Sequence, residues 1–342
     1  MGAGRNPLPT PADRSRGRPA GGQLLRRARH LLEGLEGRVA VVGSLNADLT
    51  VRTKHLPRPG ETVSGGPMTV LPGGKSANQA VACALLGARP AMIGAVGADE
   101  HGAMLLDSLR RAGVDTTGVL RRQLATGTAV ITVDAVGENT IVVSPGANAA
   151  LSGADVHRGA ELIRRAAVLG LCLEIGDEAL VAAARVAREA GARVVLNPSP
   201  MRAIPAELSA LTDVLVLNEH ELAQLSGSGE TGDDTMEMVR RLGVPRAVVT
   251  LGSRGCRVID GAQPHRLPAF AVKAVDTTGC GDAFTGTLLA ALASGGSLVD
   301  GAAVGAAVAA LAASSPGAQR SYPDRERVRA FLDEQDAGWQ GV

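Results

Sequence analysis

The chain has 342 residues and a formal net charge of +1, with one Trp, one Tyr and three Phe in all. A near-neutral charge gives no electrostatic case for a nucleic-acid or membrane partner, and so few aromatics exclude base stacking as a main binding device. Cys83, Cys172, Cys256 and Cys280 lie far apart with no Cys-x-x-Cys pair, which excludes a disulfide framework or zinc site and predicts reduced, mostly buried thiols in a cytosolic protein.

Residues 1–37 carry seven Arg and few acids after a Pro/Gly-rich start. They read as a disordered N-terminal extension ending in a short helix over Leu24–Leu35, or else as an organellar transit segment. The first strand, Val39–Gly43, runs into Ser44-Leu45-Asn46-Ala47-Asp48. Ligands of a parallel sheet gather at the carboxyl ends of its strands, and in extended backbone Asn46 and Asp48 share a face. An amide and a carboxylate there suit vicinal hydroxyls. An Asx turn is the alternative.

Asp48–Leu71 and Thr126–Val143 show period-two patterns with turn residues. They read as hairpins projecting from the body, either a small β lid that excludes water or two ordinary edge hairpins. Between them, Pro72-Gly73-Gly74-Lys75-Ser76-Ala77-Asn78 enters a helix over Ala77–Leu86. A P-loop is excluded, because Thr69 stands where its first glycine is needed and Pro72 breaks the preceding strand. The glycines instead let a ligand lie against the backbone while Asn78 bonds it, unless they only mark a helix entry with a structural Asn. Strand Ala91–Val96 and helix Met104–Ala112 follow.

Strand Val168–Leu173 ends at Glu174; helix Glu178–Ala190 and strands Arg193–Leu196 and Val214–Leu217 come next. Asn218-x-x-Glu221 opens helix Glu219–Leu225. A spacing of three sets both side chains on one side of the first turn, where oxygen ligands hold Mg²⁺ through its waters or else form a capping box. Strand Ala247–Leu251 leads into Thr250-Leu251-Gly252-Ser253-Arg254-Gly255.

Asp276-Thr277-Thr278-Gly279-Cys280-Gly281-Asp282 then enters a helix over Asp282–Ala293. Two glycines and a helix start with unpaired N–H groups make an anion hole, and Asp282 is either a base beside it or an N-cap. Helices Asp300–Ala313 and Arg325–Glu334 complete the chain before a tail at 335–342. The alternation predicts a mainly parallel sheet covered on both faces, in one domain over 38–334. No apolar run approaches the roughly 20 residues of a membrane span.

The 276–284 segment matches the C-terminal signature of the ribokinase-like (PfkB) carbohydrate kinases at Asp276, Thr277, Gly279, Gly281, Asp282 and Phe284, with Cys280 where Ala is usual. The string at 72–81 resembles their N-terminal signature, and Leu56–Thr62, Ile93–Asp99, Gly137–Asn148 and Leu196–Pro200 carry the likeness along about residues 38–334. This resemblance implies a three-layer α/β/α sandwich with a small β-sheet lid, and ATP-dependent phosphorylation of D-ribose at its 5-hydroxyl. It implies Asp282 as base and an anion hole of Gly279, Cys280 and Gly281. It further implies sugar contacts from Asn46, Ala47, Asp48, Gly74, Lys75, Ser76, Ala77, Asn78 and Glu174.

ATP would meet Asn218, Thr250, Leu251, Gly252, Ser253, Arg254, Gly255 and Gly281, with Mg²⁺ held by Asn218 and Glu221 through water. The adenine slot is expected to be aliphatic, and Ala306 stands near a position where many members of the family have Asn or His. By resemblance alone, K⁺ is expected at Asp276, Thr278, Ala312, Ser315, Gly317 and Ser321. The exposed lid strands predict a homodimer through the lid. A related deoxyribose, fructose or nucleoside kinase is the nearest rival, but the lid segments lack the aromatics a nucleoside base would need. A non-catalytic sugar-binding regulator would be expected to lack Asp282 or the glycine pair.

Overall fold

Short apolar runs in this chain feed two cores at once, one on each face of a single sheet. The computed structural model describes residues 20–227, 235–261 and 264–335. Its strands are β1 (Arg38–Val42), β2 (Asn46–Arg52), β3 (Thr69–Gly73), β4 (Arg89–Gly97), β5 (Asp115–Arg122), β6 (Gly127–Val133), β7 (Asn139–Ser144), β8 (Val168–Cys172), β9 (Arg193–Asn197), β10 (Val214–Asn218), β11 (Arg246–Thr250), β12 (Cys256–Asp260) and β13 (Pro264–Leu267). Its helices are α1 (Ala20–Glu33), α2 (Lys75–Leu85), α3 (Glu100–Arg111), α4 (Gly153–Arg158), α5 (Ala160–Arg164), α6 (Asp177–Glu189), α7 (Ala206–Leu211), α8 (Glu219–Ser226), α9 (Thr235–Arg241), α10 (Cys280–Ala293), α11 (Leu298–Ala313) and α12 (Arg325–Glu334).

The large sheet runs β13-β12-β11-β10-β9-β8-β1-β4-β5 and is parallel from β11 to β5, with β12 and β13 antiparallel at one edge. In β1, Val39 and Val41 enter one core while Ala40 and Val42 enter the other, the period-two consequence of a strand buried on both faces. The first core is closed by α1, α2, α3 and α10–α12, the second by α4–α9. This is the expected three-layer sandwich. Strands β5, β12 and β13 were not anticipated. Asp115-Thr-Thr-Gly has no apolar run, and the other two lie at an antiparallel edge whose polar residues face out.

The smaller sheet, β3-β2-β6-β7, gathers the two stretches expected as a lid. Its β2–β6 pair is parallel, so the two stretches form one continuous sheet rather than two separate hairpins. Val130, Ile141, Val142 and Val143 are 48–69% exposed on it.

The helix expected at Leu24–Leu35 forms as α1, and it corrects the reading of residues 1–37 as an extension outside the domain. Leu24, Leu25, Ala28 and Leu32, with Leu35 beyond the helix, are buried in the first core. Arg325 holds the connection to β1 by donating to the carbonyls of Glu33 and Leu35. Residues 1–19 and 336–342, which carry the rest of the extension and most of the tail, lie outside the described residues.

Candidate active site

Each strand that was expected to present a polar residue does so at its carboxyl end: Asn46 after β1, Glu174 after β8, Asn218 at the end of β10 and Thr250 at the end of β11. Between the first two and the last two stands the start of α10. Its N-cap is Gly279, at φ +74°. A Cβ there would lie 2.6 Å from Tyr322 Oη, so glycine is required by both conformation and space. Tyr322 Oη donates to Gly279 O at 2.9 Å and fixes the turn.

Asp282 is therefore not a cap. Its carboxylate is buried and accepts from Asn78 Nδ2 at 2.9 Å. Burial pushes its pKa up, and the Lys75 ammonium and the Asn78 amide oppose that rise. The expectation of a carboxylate kept ionised by a helix start is thus corrected to that of a buried, more basic group. Lys75 is itself held protonated, because Asp282 and Glu174 outweigh the burial that would deprotonate it. Burial, with Glu174 and Asp282 nearby, raises Asp48 to about 7. Three carboxylates, Asp48, Glu174 and Asp282, thus share one electrostatic field with Lys75.

Asn46 opens β2 rather than an Asx turn, and its Oδ1 accepts from Asn148 Nδ2 at 2.7 Å. Glu174 Oε2 accepts from Ser44 Oγ and from the N–H of Lys75, the latter at 3.1 Å. Asn46, Asn148, Glu174 and the lid residue Val143 line one cavity of about 340 Å³. Asp48 and the α2 entry do not line that cavity but lie beside Asn46: a Cβ on Gly73 would lie 2.1 Å from the Asp48 carboxylate, and one on Gly74, at φ +90°, would lie 2.7 Å from Asn46 N. Ser76 is turned away, hydrogen-bonded to Cys172 Sγ at 2.8 Å within the core.

A second cavity, of about 550 Å³, lies across α10. Thr250, Gly252, Ser253 and Gly255 line it from β11, Cys280 and Gly281 from α10, and Ala306, Ala309, Ala310 and Ala313 from α11. Leu251 and Arg254 of the expected loop do not line it; Arg254 pairs with Glu219 at the surface. Nor is it wholly aliphatic. Phe270 and Phe284 line it, because the segment after β13 folds over the α10–α11 pair. Those helices pack closely through Gly301 against Ala291 and Gly305 against Phe284.

Asn218 and Glu221 form the capping box: Glu221 N–H donates to Asn218 Oδ1 and Asn218 N–H to Glu221 Oε2, both at 2.8 Å. The Cys280 N–H turns back to Thr277 O at 3.2 Å, leaving Gly281 with open space before its Cα. Burial pushes the Cys280 thiol up to about 11. Asp276 accepts from Thr278 N–H at 2.9 Å and Gly317 N–H at 2.8 Å. These bonds outweigh burial and hold its pKa below the usual range. The Asp276 N–H reaches Ala313 O, so the 276–278 and 313–317 segments are joined. Ser315 N–H donates to Ala312 O, and Ser321 Oγ donates to Ala318 O within the buried side of the same loop. Among the described residues no group of three His, Cys, Asp or Glu side chains is arranged to hold a metal ion.

Sequence reasoning did not single out Asn148, Tyr322 or Gln319. Asn148 and Gln319 fall in stretches that carried the family likeness, which was the only available signal. Nothing pointed to Tyr322.

Residues 36–325 match the pfkB family carbohydrate kinase. The chain is 35% identical to a ribokinase of Haemophilus influenzae and 37% identical to one of Mus musculus, each over 86% of this chain and 98% and 94% of theirs. A deoxyribokinase of Salmonella typhi is 34% identical over 86% of this chain and 98% of its own. Among solved structures, Arabidopsis thaliana ribokinase complexed with ribose and ATP aligns with a TM-score of 0.81 at 35% identity, covering 87% of this chain and 99% of that one. With the family match covering residues 36–325 and these relatives spanning nearly its whole length, the chain belongs to the pfkB family of carbohydrate kinases.

Proposed function

We propose that this kinase transfers the γ-phosphoryl group of ATP to the 5-hydroxyl of D-ribose. The observation that carries the reading is Asp282, buried in one field with Asp48, Lys75 and Glu174 and next in sequence to Gly281, which lines the cavity beside α11. Ribose lies against Gly73 and Gly74, its hydroxyls donating to Asn46, Asp48 and Glu174. ATP lies along the 250–255 loop with its base between Phe270, Phe284 and the α11 alanines. Asp282 accepts the proton as the ribose O5–phosphorus bond forms and the bond from phosphorus to the β–γ bridging oxygen breaks, giving ribose 5-phosphate and ADP. The N–H groups of Gly279, Cys280 and Gly281, with the α10 dipole, stabilise the charge on the transferring group, Cys280 sharing its N–H with Thr277.

Mg²⁺ fits the outer side of the Asn218–Glu221 capping box, where the second Glu221 oxygen suits ligation through water; when bound it supplies charge neutralisation at the phosphates. K⁺ fits the joined 276–278 and 312–317 loops, which offer one carboxylate and several carbonyl oxygens, a donor set for a weakly charged cation. Asp276 and the carbonyls of Thr278, Ala312, Ser315 and Gly317 would hold it with Ser321, and its charge supports the α10 turn. The exposed valines and isoleucine of the lid favour a homodimer closing lid to lid, and four free cysteines fit a reducing cytosol.

The test is ADP release in the presence of ribose, 2-deoxyribose, fructose or adenosine, with and without Mg²⁺ and K⁺. Ribose is expected to give the highest kcat/KM, with a need for Mg²⁺ and stimulation by K⁺. A higher kcat/KM for 2-deoxyribose or fructose would overturn the ribose assignment, and no sugar-dependent turnover would overturn the reaction.

A further inference from the structure

Asp282 is hydrogen-bonded by the side chains of Asn78 and Gln79, and the Asn78 bond ends a directional chain that starts three elements away. Ser108 Oγ, on α3, donates to Gln319 Oε1 at 3.0 Å. Gln319 Nε2, in the loop after α11, donates to Asn78 Oδ1 at 2.9 Å. Asn78 Nδ2, on α2, donates to Asp282 Oδ2 at 2.9 Å. A carboxylate can only accept, so Asp282 demands the nitrogen end of the Asn78 amide. That orientation leaves the Asn78 oxygen facing away from Asp282, where Gln319 supplies the N–H it needs while Ser108 satisfies the Gln319 oxygen. The acceptor-only carboxylate sets the direction of the chain, which runs from the half-buried Ser108 and Gln319 to the buried Asp282, and linked hydrogen bonds of this kind reinforce one another.

The same loop makes two further contacts with the machinery: Gly317 N–H on Asp276 and Tyr322 Oη on the Gly279 carbonyl. Gln319 is the member of that loop whose side chain bonds Asn78, the donor to Asp282.

We propose that Gln319 is a positioning residue for phosphoryl transfer: it locks the Asn78 amide with its N–H toward Asp282 and so keeps the carboxylate in its proton-accepting form. The inference rests on Asp282 being the base. Asp48, Lys75, Cys172, Glu174, Cys280 and Tyr322 also face Asp282 from the surrounding elements, and none of them contacts Gln319 in the chain above. Without Gln319 the Asn78 oxygen loses its donor and the side chain loses its anchor, so its N–H is held less firmly on Asp282. Because a hydrogen bond to the ionised form lowers a carboxylate's pKa, its loss raises it.

The experiment is the pH dependence of kcat/KM for ribose in wild type, Gln319→Leu, Asn78→Ala and the double variant, with Ser108→Ala as a milder variant at the far end of the chain. In Gln319→Leu the acid limb is expected to move to higher pH by about one unit, with kcat at neutral pH falling roughly tenfold and ribose KM changing less. In the Asn78→Ala background the substitution at 319 is expected to add nothing, since its effect passes through Asn78. Ser108→Ala should shift the limb in the same direction by a smaller amount. An unmoved acid limb in both Gln319→Leu and Ser108→Ala, or an undiminished effect of Gln319→Leu in Asn78→Ala, overturns the proposal. Should Gln319→Leu not fold, Ser108→Ala decides alone by the direction of its limb. A normal Asp282→Asn enzyme would instead refute the base assignment itself, which separates the two failures.

Discussion

The two cavities on either side of α10 are built on opposite principles. The pocket proposed for the sugar is formed by strand ends and the lid, beside the cluster in which Asp48, Glu174 and Asp282 act on Lys75. The cavity on the other side is formed by helix faces and is lined by four α11 alanines and two phenylalanines, with hydroxyls only at Thr250, Ser253 and Thr277. A polar ligand such as a sugar is recognised by satisfying many acceptors, so loss of one leaves its neighbours unpaired. A flat apolar group is recognised by shape, so the cavity is defined by what is missing from it. The small residues of α11 serve both purposes, since Gly301 and Gly305 let the helix approach α10 while its alanines leave space on the other side.

The largest effect belongs to Asp282. Asp282→Asn should lower kcat by about a hundred- to ten-thousandfold while ribose affinity, read by calorimetry, changes little. In wild type the raised pKa of this base places the acid limb of kcat/KM above the ordinary carboxylate range near 4, which a pH-rate profile checks.

Asp48→Asn should act on the sugar side alone. A lost charged acceptor should raise the ribose KM about ten- to a hundredfold and leave that for ATP near its wild-type value. It should also stabilise the fold at pH 8. Because Asp48 has a folded pKa of about 7, its protonated form favours folding below the ordinary aspartate range and that contribution is lost as pH rises toward 7. A melting temperature roughly 2–5 °C above wild type at pH 8, shrinking toward pH 4, is the expected reading.

Ala309→Phe should act on the other side alone, filling the cavity and raising the ATP KM about tenfold, with ribose affinity unchanged. A comparable loss of ribose affinity would erase the distinction between the two regions. The smallest effect belongs to Cys280→Ala, which restores the common residue of the family. Turnover should stay within about twofold, and in wild type a thiol held at about 11 should react slowly with iodoacetamide at pH 7.5.

Much of the site was legible because its parts are local. A strand end followed by Asn46 and Asp48, or a glycine turn followed by a helix, announces itself within ten residues. The capping box at Asn218 and Glu221 was legible too, although as one of two readings of the same spacing. The aromatic part of the cavity beside α11 was not legible, because Phe270 and Phe284 lie fourteen positions apart and converge on it only when the segment after β13 folds over α10. Helix α1 was legible as a helix, but its membership in the core depends on Arg325 and α12, some 290 residues away.

The sequence by itself determined the alternation of strands and helices, the backbone freedom at Gly74 and Gly279, and the chemistry available at each loop, since all of these depend on neighbours along the chain. Only the tertiary structure decided that Asp48, Lys75, Glu174 and Asp282 share one field, and that Ser108, Gln319 and Asn78 point one hydrogen at a carboxylate. Burial, coupled charge and hydrogen-bond direction arise between elements distant in sequence, and no local pattern encodes them.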